Sequence, residues 1–209
     1  MKYKKSFKLN KDFLNNQTVV IASHNPGKIM EFKSLLSAYN VNVITASDIN
    51  VPDVEEVGKS FKANSILKAK NIPDEHICIS DDSGLCIDSL NGFPGIYSAR
   101  FAKKSGGWNK AMQELYKRIL EKKGDCVKAS FYCVITLKWY DKWLKSFSGK
   151  VTGHISWPPK GKNGFGYDPI FVPSGFKQTF AEMLHKEKIL LDHRFIAFQK
   201  LAKAHLTGN

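Results

Sequence analysis

From residue 127 to 137, apolar side chains take every second position: Val127, Ala129, Phe131, Cys133, Ile135 and Leu137. Successive side chains of a strand point to opposite faces, so alternation kept up this long predicts one long strand with a buried face. Residues 143–155 follow after a short break and predict a second long strand paired with the first. Two such strands need a sheet and elements that cover it. Upstream, Thr18-Val19-Val20-Ile21-Ala22-Ser23 is a nearly continuous apolar run, as in a short strand covered on both faces. Helical spacing follows it at Ile29, Phe32, Leu35 and Leu36. It recurs at Met112, Leu115, Tyr116, Ile119 and Leu120, with a stop near Gly124.

Between these landmarks the chain supplies further elements. Residues 41–46 read as a second strand and 51–58 as a loop carrying Asp53, Glu55 and Glu56. A helix over about 60–70 has Ala63, Ile66, Leu67 and Ala69 for packing, with Asn64 and Lys68 together on one face, turned toward a cleft. Pro73 stops it. Residues 158–166 form a Gly/Lys/Pro loop, 167–172 a short strand with Asp168 at its mouth, and about 186–205 a last helix burying Ile189, Ile196 and Leu201. With 209 residues, 43% hydrophobic, the chain suits a single domain of at most two lobes over 18–209. Residues 1–17, with Lys2, Lys4, Lys5, Lys8 and Lys11 and little apolar periodicity, read as a basic N-terminal arm, mobile or loosely docked, that adds no core. No apolar run approaches the ~18 residues of a membrane span, and no signal-type segment follows the basic start, so a cytoplasmic location is expected.

Cys78, Cys86, Cys126 and Cys133 make no C-x-x-C pair and read as buried free thiols. The net charge of +13 favours anionic partners: nucleotides, nucleic acid or an anionic membrane surface. The lysines are scattered, so charge alone does not choose among these.

Two stretches carry chemistry. Ile77 and Ile79 read as the end of a buried strand, with Asp81 and Asp82 at its tip, then Ser83 and the turn-permitting Gly84. Adjacent ionised carboxylates need a compensating cation, and Mg²⁺ takes a few carboxylates plus phosphate oxygens. The plainer alternative is an acidic turn capping the next element. The second stretch, Ser23-His24-Asn25-Pro26-Gly27-Lys28, lies between a strand and a helix N-terminus, where unpaired N–H groups favour an anion. Gly27 allows close approach and Lys28 adds charge. The spacing is not that of a Walker A loop.

These two stretches occur in register with Gly95-Ile96-Tyr97-Ser98-Ala99-Arg100, Gly164-Phe165-Gly166-Tyr167-Asp168-Pro169-Ile170-Phe171 and Asp192-His193-Arg194. Over about residues 18–205 the chain resembles the inosine triphosphate pyrophosphatase family, which acts on non-standard purine nucleoside triphosphates. The resemblance implies an α/β fold with a long central mixed sheet flanked by helices, and two lobes with the active cleft between them. It implies a homodimer, and Mg²⁺-dependent hydrolysis of ITP/dITP and XTP/dXTP to the monophosphate and pyrophosphate. Carried over residue by residue, it puts phosphate binding on Ser23, His24, Asn25, Pro26, Gly27 and Lys28. Metal binding falls on Glu56 and Asp82, with Asp82 the general base and Asp81 its support. Substrate contacts fall on Ser83, Phe165, Gly166, Tyr167, Asp168 and Lys188, and purine reading on His193 and Arg194. Phe165, between two glycines, offers an open ring face for stacking, and the donors of Arg194 favour a 6-oxopurine.

Two positions depart from the family's pattern: Ala63 where a Glu precedes the asparagine, and Asp192 where a Ser precedes His-Arg. Without the resemblance, Phe165 reads equally as core, and Lys188, His193 and Arg194 as surface. Two other functions stay open: a basic protein that binds nucleotides or RNA without turnover, and a pyrophosphatase of related fold for pyrimidine or modified nucleotides. Nucleic acid is expected to bind only through weak electrostatic contact.

Overall fold

The computed structural model describes residues 12–122, 127–140 and 143–206. The arm lysines at 2–11, the helix stop at Gly124 and the Cys126 thiol lie outside the described residues. Six strands are β1 (Thr18–Ala22), β2 (Asn42–Thr45), β3 (Ile77–Ile87), β4 (Lys128–Trp139), β5 (Trp143–Ile155) and β6 (Phe171–Pro173). The helices are α1 (Pro26–Leu36), α2 (Phe61–Asn71), α3 (Ser98–Lys104), α4 (Trp108–Glu121), α5 (His185–Lys188) and α6 (His193–His205). One sheet holds all six strands in the order β2-β1-β3-β4-β5-β6. β1 runs parallel to both β2 and β3, and the rest is antiparallel. This is the mixed α/β sheet that the sequence implies.

The topology places a crevice. The chain leaves β1 through α1 to one side and returns from β2 through α2 to the other. Such reversals leave an opening beyond the carboxyl ends of the parallel strands. β1 pairs with β3 only as far as Ala22 against Ser80, so from Asp81 onward that edge of β3 has no strand beside it. Here the sequence reading is corrected: Asp81 to Gly84 are not a turn at a strand tip but the middle of β3, paired with β4 throughout. Gly84 serves close packing instead. A Cβ there would lie 2.2 Å from the carbonyl oxygen of Gly95, so only glycine lets the Gly95–Tyr97 turn lie on the strand.

Two separate apolar cores flank this point. One gathers Val19, Ile21, Phe32, Leu36, Ile79, Ile135, Leu137, Phe198 and Leu201; the other gathers Leu85, Ile87, Met112, Leu115, Phe131, Ile170, Phe171 and Phe180. β3 thus crosses from one core to the other, with Asp81, Asp82 and Ser83 at the seam, which gives the two lobes a physical meaning.

Further local readings change. β4 is buried on both faces over much of its length, because α2 covers the face opposite the expected stripe. The buried side of α2 is Asn64, Ser65 and Ala69, while Ala63, Ile66 and Leu67 are half-buried. Ser65 Oγ donates to Thr136 Oγ1 (2.7 Å), and Ser80 Oγ donates to the Ser65 carbonyl (2.7 Å), so this helix docks through hydroxyls. Residues 168–170 form a 3-10 turn before β6. The last helix is broken, with Asp192 capping α6 by accepting from the Phe195 N–H at 2.7 Å. Ser and Asp are both good N-caps, so that departure from the family's pattern preserves the helix start.

The end of the expected arm does carry core. Leu14 is fully buried, its N–H donates to the His205 carbonyl, and Phe13 packs edge-on against Trp139 with ring centroids 3.9 Å apart. Leu14→Ala is therefore expected to cost about 2–5 kcal/mol, seen as a lower melting temperature. An unchanged melt would show that Leu14 is not core. His205 sits among the rings of Phe13, Trp143 and Phe147, and burial, aided by Lys145, pushes its pKa down to about 4. It stays neutral in the folded protein while the unfolded chain takes up a proton near the usual ~6.5. Stability is thus intact above that pH and falls as pH drops toward 4. His205→Leu should flatten the loss of melting temperature between pH 7 and 4.5; an identical slope in the variant would refute this.

Candidate active site

The turn after β1 is built by its own hydrogen bonds. Ser23 Oγ accepts the Asn25 N–H (3.2 Å), and Asn25 Oδ1 accepts the Lys28 N–H (3.2 Å) as N-cap of α1. Pro26 sits at the start of the helix, where its missing N–H costs nothing. His24 is exposed and bonds the Val51 carbonyl at 3.0 Å, tying this turn to the loop that carries Glu56. Lys28 reaches back to Asp81 Oδ2 at 3.0 Å.

Asp81 and Asp82 are both buried but differ in company. Burial would raise Asp81, yet the charges of Lys28, Arg194 and Lys68 hold it well below the usual carboxylate range. Arg194 Nη2 donates to its Oδ2 at 2.8 Å. Asp82 is pushed up to about 6 by burial, against the pull of Lys28 and Lys68 and with Glu56 adding to the rise. Its Oδ2 accepts from Asn64 Nδ2 (2.9 Å) and its Oδ1 from the Ser83 N–H (2.9 Å). Asn64 Oδ1 in turn accepts the Gly58 N–H (2.7 Å), so one amide positions Asp82 and anchors the Glu56 loop. Lys68 pairs with Glu56 and donates to the Asp81 carbonyl at 3.0 Å, as its predicted place beside Asn64 implies.

Beneath lies a buried set of charges. Arg194, fully buried, bonds Glu31, Asp81 and Ser83 Oγ (3.0 Å). Lys188, also buried, bonds Glu31 Oε1 (2.9 Å) and Asp168 Oδ2 (2.7 Å). Asp168 further accepts the Phe165 N–H at 2.9 Å, fixing that loop. The sequence reading misses Glu31. Its one signal is a carboxylate between Lys28 and Leu35 on the edge of the apolar stripe of α1.

A narrow cavity of about 60 Å³ joins these parts. Lys28, Glu56, Asp82 and Ser83 line one end; Trp108, Phe131, Phe165, Tyr167, Lys188 and His193 line the other. Asn25, Gly166 and Asp168 also border it. Of the sequence-predicted residues, Asn25, Lys28, Glu56, Asp82, Ser83, Phe165, Gly166, Tyr167, Asp168, Lys188 and His193 border this crevice, while Ser23, His24, Pro26, Gly27, Asp81 and Arg194 do not. Arg194 is absent from the lining, its Nη1 and Nη2 donating to carboxylates and a hydroxyl while its buried Nε has no partner. The Phe165 ring lies against the backbone, where a Cβ on Gly27 would be 2.5 Å away, and the Lys188 ammonium sits 4.8 Å from its centroid. His193 stacks on Phe131 (4.9 Å), burial keeps it neutral, and its buried Nδ1 has no hydrogen-bond partner. Trp108 is an aromatic wall that the sequence reading missed; it stands edge-on to Tyr167 at 5.1 Å. A larger groove, about 850 Å³, runs between α3 and α4 and includes neither Glu56 nor the aspartates.

Glu56 and Asp82 supply the carboxylates that could hold a divalent cation. Burial does most to raise Asp82, and Glu56 adds a repulsion that such a cation relieves. Among the described residues no group of three or more His, Cys, Asp or Glu side chains is placed to hold a metal alone. Two carboxylates beside the turn at 23–28 and its Lys28 fit Mg²⁺, which keeps waters and takes a few carboxylates together with phosphate oxygens.

Comparison with known proteins agrees with this arrangement. A sequence model of the Ham1 family matches residues 19–204. The dITP/XTP pyrophosphatase of Zymomonas mobilis is 40% identical over 191 residues, covering 90% of this chain and 91% of that protein. The dITP/XTP pyrophosphatase of Bradyrhizobium diazoefficiens is 39% identical over 88% of this chain and 93% of its own length. Among solved structures, a HAM1 protein from Coxiella burnetii superposes with a TM-score of 0.79 at 35% identity, covering 89% of this chain and 96% of that one. The Ham1 protein of Staphylococcus aureus gives a TM-score of 0.72 at 40% identity, covering 88% and 96%.

Removing the Arg194 charge leaves Glu31 and Asp81 buried without their shared cation. Arg194→Leu should therefore destabilise by about 3–5 kcal/mol, a fall in melting temperature of roughly 6–20 °C for a chain of this size. Arg194→Lys, a point charge unable to span both carboxylates, should fall between. Wild-type melting of Arg194→Leu would exclude the structural role.

Proposed function

The chain belongs to the Ham1 family, and from that premise we propose that it hydrolyses non-standard purine nucleoside triphosphates, dITP and XTP among them. The products are the nucleoside monophosphate and pyrophosphate, and Asp82 is the general base. The observation that carries this reading is the unequal pair on β3. Asp81 is committed to Lys28 and Arg194, while Asp82, raised to about 6, faces the cavity beside Lys28 and Glu56.

A carboxylate with that pKa is ionised at neutral pH and still basic enough to take a proton from water. Water attacks the α-phosphorus, the bond from that phosphorus to the α–β bridging oxygen breaks, and the water's proton passes to Asp82. Asn64 holds the carboxylate in place for this. Lys28, with the His24 and Gly27 N–H groups of the turn at 23–28, binds the phosphates. Mg²⁺ on Glu56 and Asp82 supplies, when bound, neutralisation of the phosphate charge.

The nucleobase takes the aromatic end of the cavity, with Phe165, Gly166, Tyr167 and Trp108 as walls. For it to enter a space of about 60 Å³, the Phe165 ring leaves Gly27. His193 offers its unpartnered Nδ1 to the base edge, and Lys188, braced by Asp168, adds a charged donor. Arg194 acts at one remove, positioning Asp81 and Ser83. The chain works as a homodimer in the cytoplasm, residues 18–209 forming its catalytic domain. No helix among the described residues is long and apolar enough to cross a membrane.

Asp82→Asn keeps the shape and the Asn64 contact region while removing charge and base. Its rate of pyrophosphate release from dITP with Mg²⁺ should fall by roughly 10³-fold or more. A variant keeping a tenth of wild-type activity would overturn the assignment.

A further inference from the structure

A second cavity, about 630 Å³, opens outward from the narrow one. The two share Asn25, Lys28, Glu56 and Ala99 in their linings, so phosphates that extend away from Asp82 pass directly into it. One wall is the turn at Ser23–Asn25 and the loop at 53–56; the other is α3, which contributes Arg100 and Lys103. Four cations, Lys28, Lys68, Arg100 and Lys103, share this lining with Asp53, Glu55 and Glu56. His24 pairs with Asp53 at 3.6 Å.

The cations differ in how far they are already committed. Lys28 is held by Asp81 and Lys68 by Glu56. Arg100 donates to the backbone carbonyls of Glu56 and Ile96 (2.7 Å for the latter), and its Nη2 lies 4.0 Å from the Glu56 carboxylate. Its Nε is buried without a hydrogen-bond partner. Lys103 is exposed and forms no ion pair among the described residues. The outer cavity therefore has donors to spare on α3, on the side away from the nucleobase.

Resting on the hydrolysis proposed above, we infer that this cavity is the subsite for the leaving pyrophosphate, the β- and γ-phosphoryl groups of the substrate, with Arg100 and Lys103 as its specificity-determining cations. Arg100 presents a planar fork of donors that matches phosphate oxygens, and Lys103 a mobile point charge. A nucleoside diphosphate reaches into the cavity with one phosphoryl group instead of two and forfeits part of this binding. The subsite thus selects triphosphates independently of the base. Asp53 and Glu55 repel the polyanionic product and favour its departure. Arg100 also grips the main chain of Glu56, so an occupant of the cavity bears on the loop that carries that carboxylate.

The test is steady-state hydrolysis of dITP by the full chain with Mg²⁺ in excess, inhibited by added pyrophosphate or added dIMP. The diphosphate dIDP serves as alternative substrate. Lys103→Ala, at an exposed position, is expected to raise the inhibition constant for pyrophosphate by roughly 3- to 10-fold, a charge-assisted contact discounted for exposure. Inhibition by dIMP should stay as in the wild type, and the preference for dITP over dIDP should shrink by a similar factor. Arg100→Lys, which keeps the charge and loses the fork, should move the same quantities in the same direction. Unchanged pyrophosphate inhibition in both variants overturns the subsite, as does a parallel rise for dIMP. If the wild type releases orthophosphate and no pyrophosphate, both the subsite and the hydrolysis fall. If it releases pyrophosphate and only the variants behave like wild type, the subsite alone is wrong.

Discussion

The buried pairing of Glu31 and Asp81 with Arg194 holds the rest of the site in place. A guanidinium reaching two carboxylates joins the middle of β3, the first helix and the start of the last one. Lys188 extends the set from Glu31 to Asp168, and Lys28 closes it at Asp81. Burying so many charges is costly unless each finds an opposite partner with good geometry. Here cations and anions alternate, and moving any one member strands another. The arrangement gives little stability relative to apolar packing, but it fixes where five separate segments stand. The two functional carboxylates can then differ: Asp81 is consumed in the pairing, and that leaves Asp82 as the one whose basicity burial can raise.

Backbone topology and this electrostatic knot meet at the same point. The crevice arises because the crossovers from β1 to β2 and from β2 to β3 run in opposite directions, and because β3 outruns β1 at Ser80. The seam between the two cores crosses β3 there as well. Polar groups can be placed at such a seam without interrupting either core. Asn64 completes the junction by linking α2, β3 and the Glu56 loop through one amide.

Much of this was legible in the sequence because it rests on local rules. The alternation at 127–137 and the apolar run at 18–23 follow strand periodicity, and the turn at 23–28 follows capping chemistry, so both appear where the residues indicate. Asp81-Asp82-Ser83-Gly84 has the composition of a turn, yet ten residues of pairing with β4 keep it extended. Tertiary pairing there outweighs local preference. Glu31 was missed, and Arg194 without the resemblance read as surface, for the same reason: a charged residue on a helix looks solvated until its partner, 163 residues away, is known to lie opposite. Leu14 was lost among lysines, a single core residue in a segment without periodicity. Of the two departures from the family's pattern, Ala63 is half-buried on α2, whereas Asp192 is fully buried, capping α6 through Oδ1 while its Oδ2 has no hydrogen-bond partner.

The span of that pairing bears on the chain while it is still being made. Asp81 leaves the ribosome 113 residues before Arg194, a delay of roughly 6–20 s at ordinary elongation rates. During that interval the turn at 23–28 and both aspartates already exist, but Glu31 and Asp81 have no guanidinium to share. Until it arrives Lys28 is the cation beside Asp81 and Lys188 the one beside Glu31, and no group among the described residues spans the two carboxylates. A chain that stops before the last helix lacks the guanidinium that bonds both Asp81 in the middle of β3 and Glu31 on the first helix. It keeps every buried residue of the core at 85–183 but loses Ala197, Phe198, Leu201, Ala202 and Leu206 from the other.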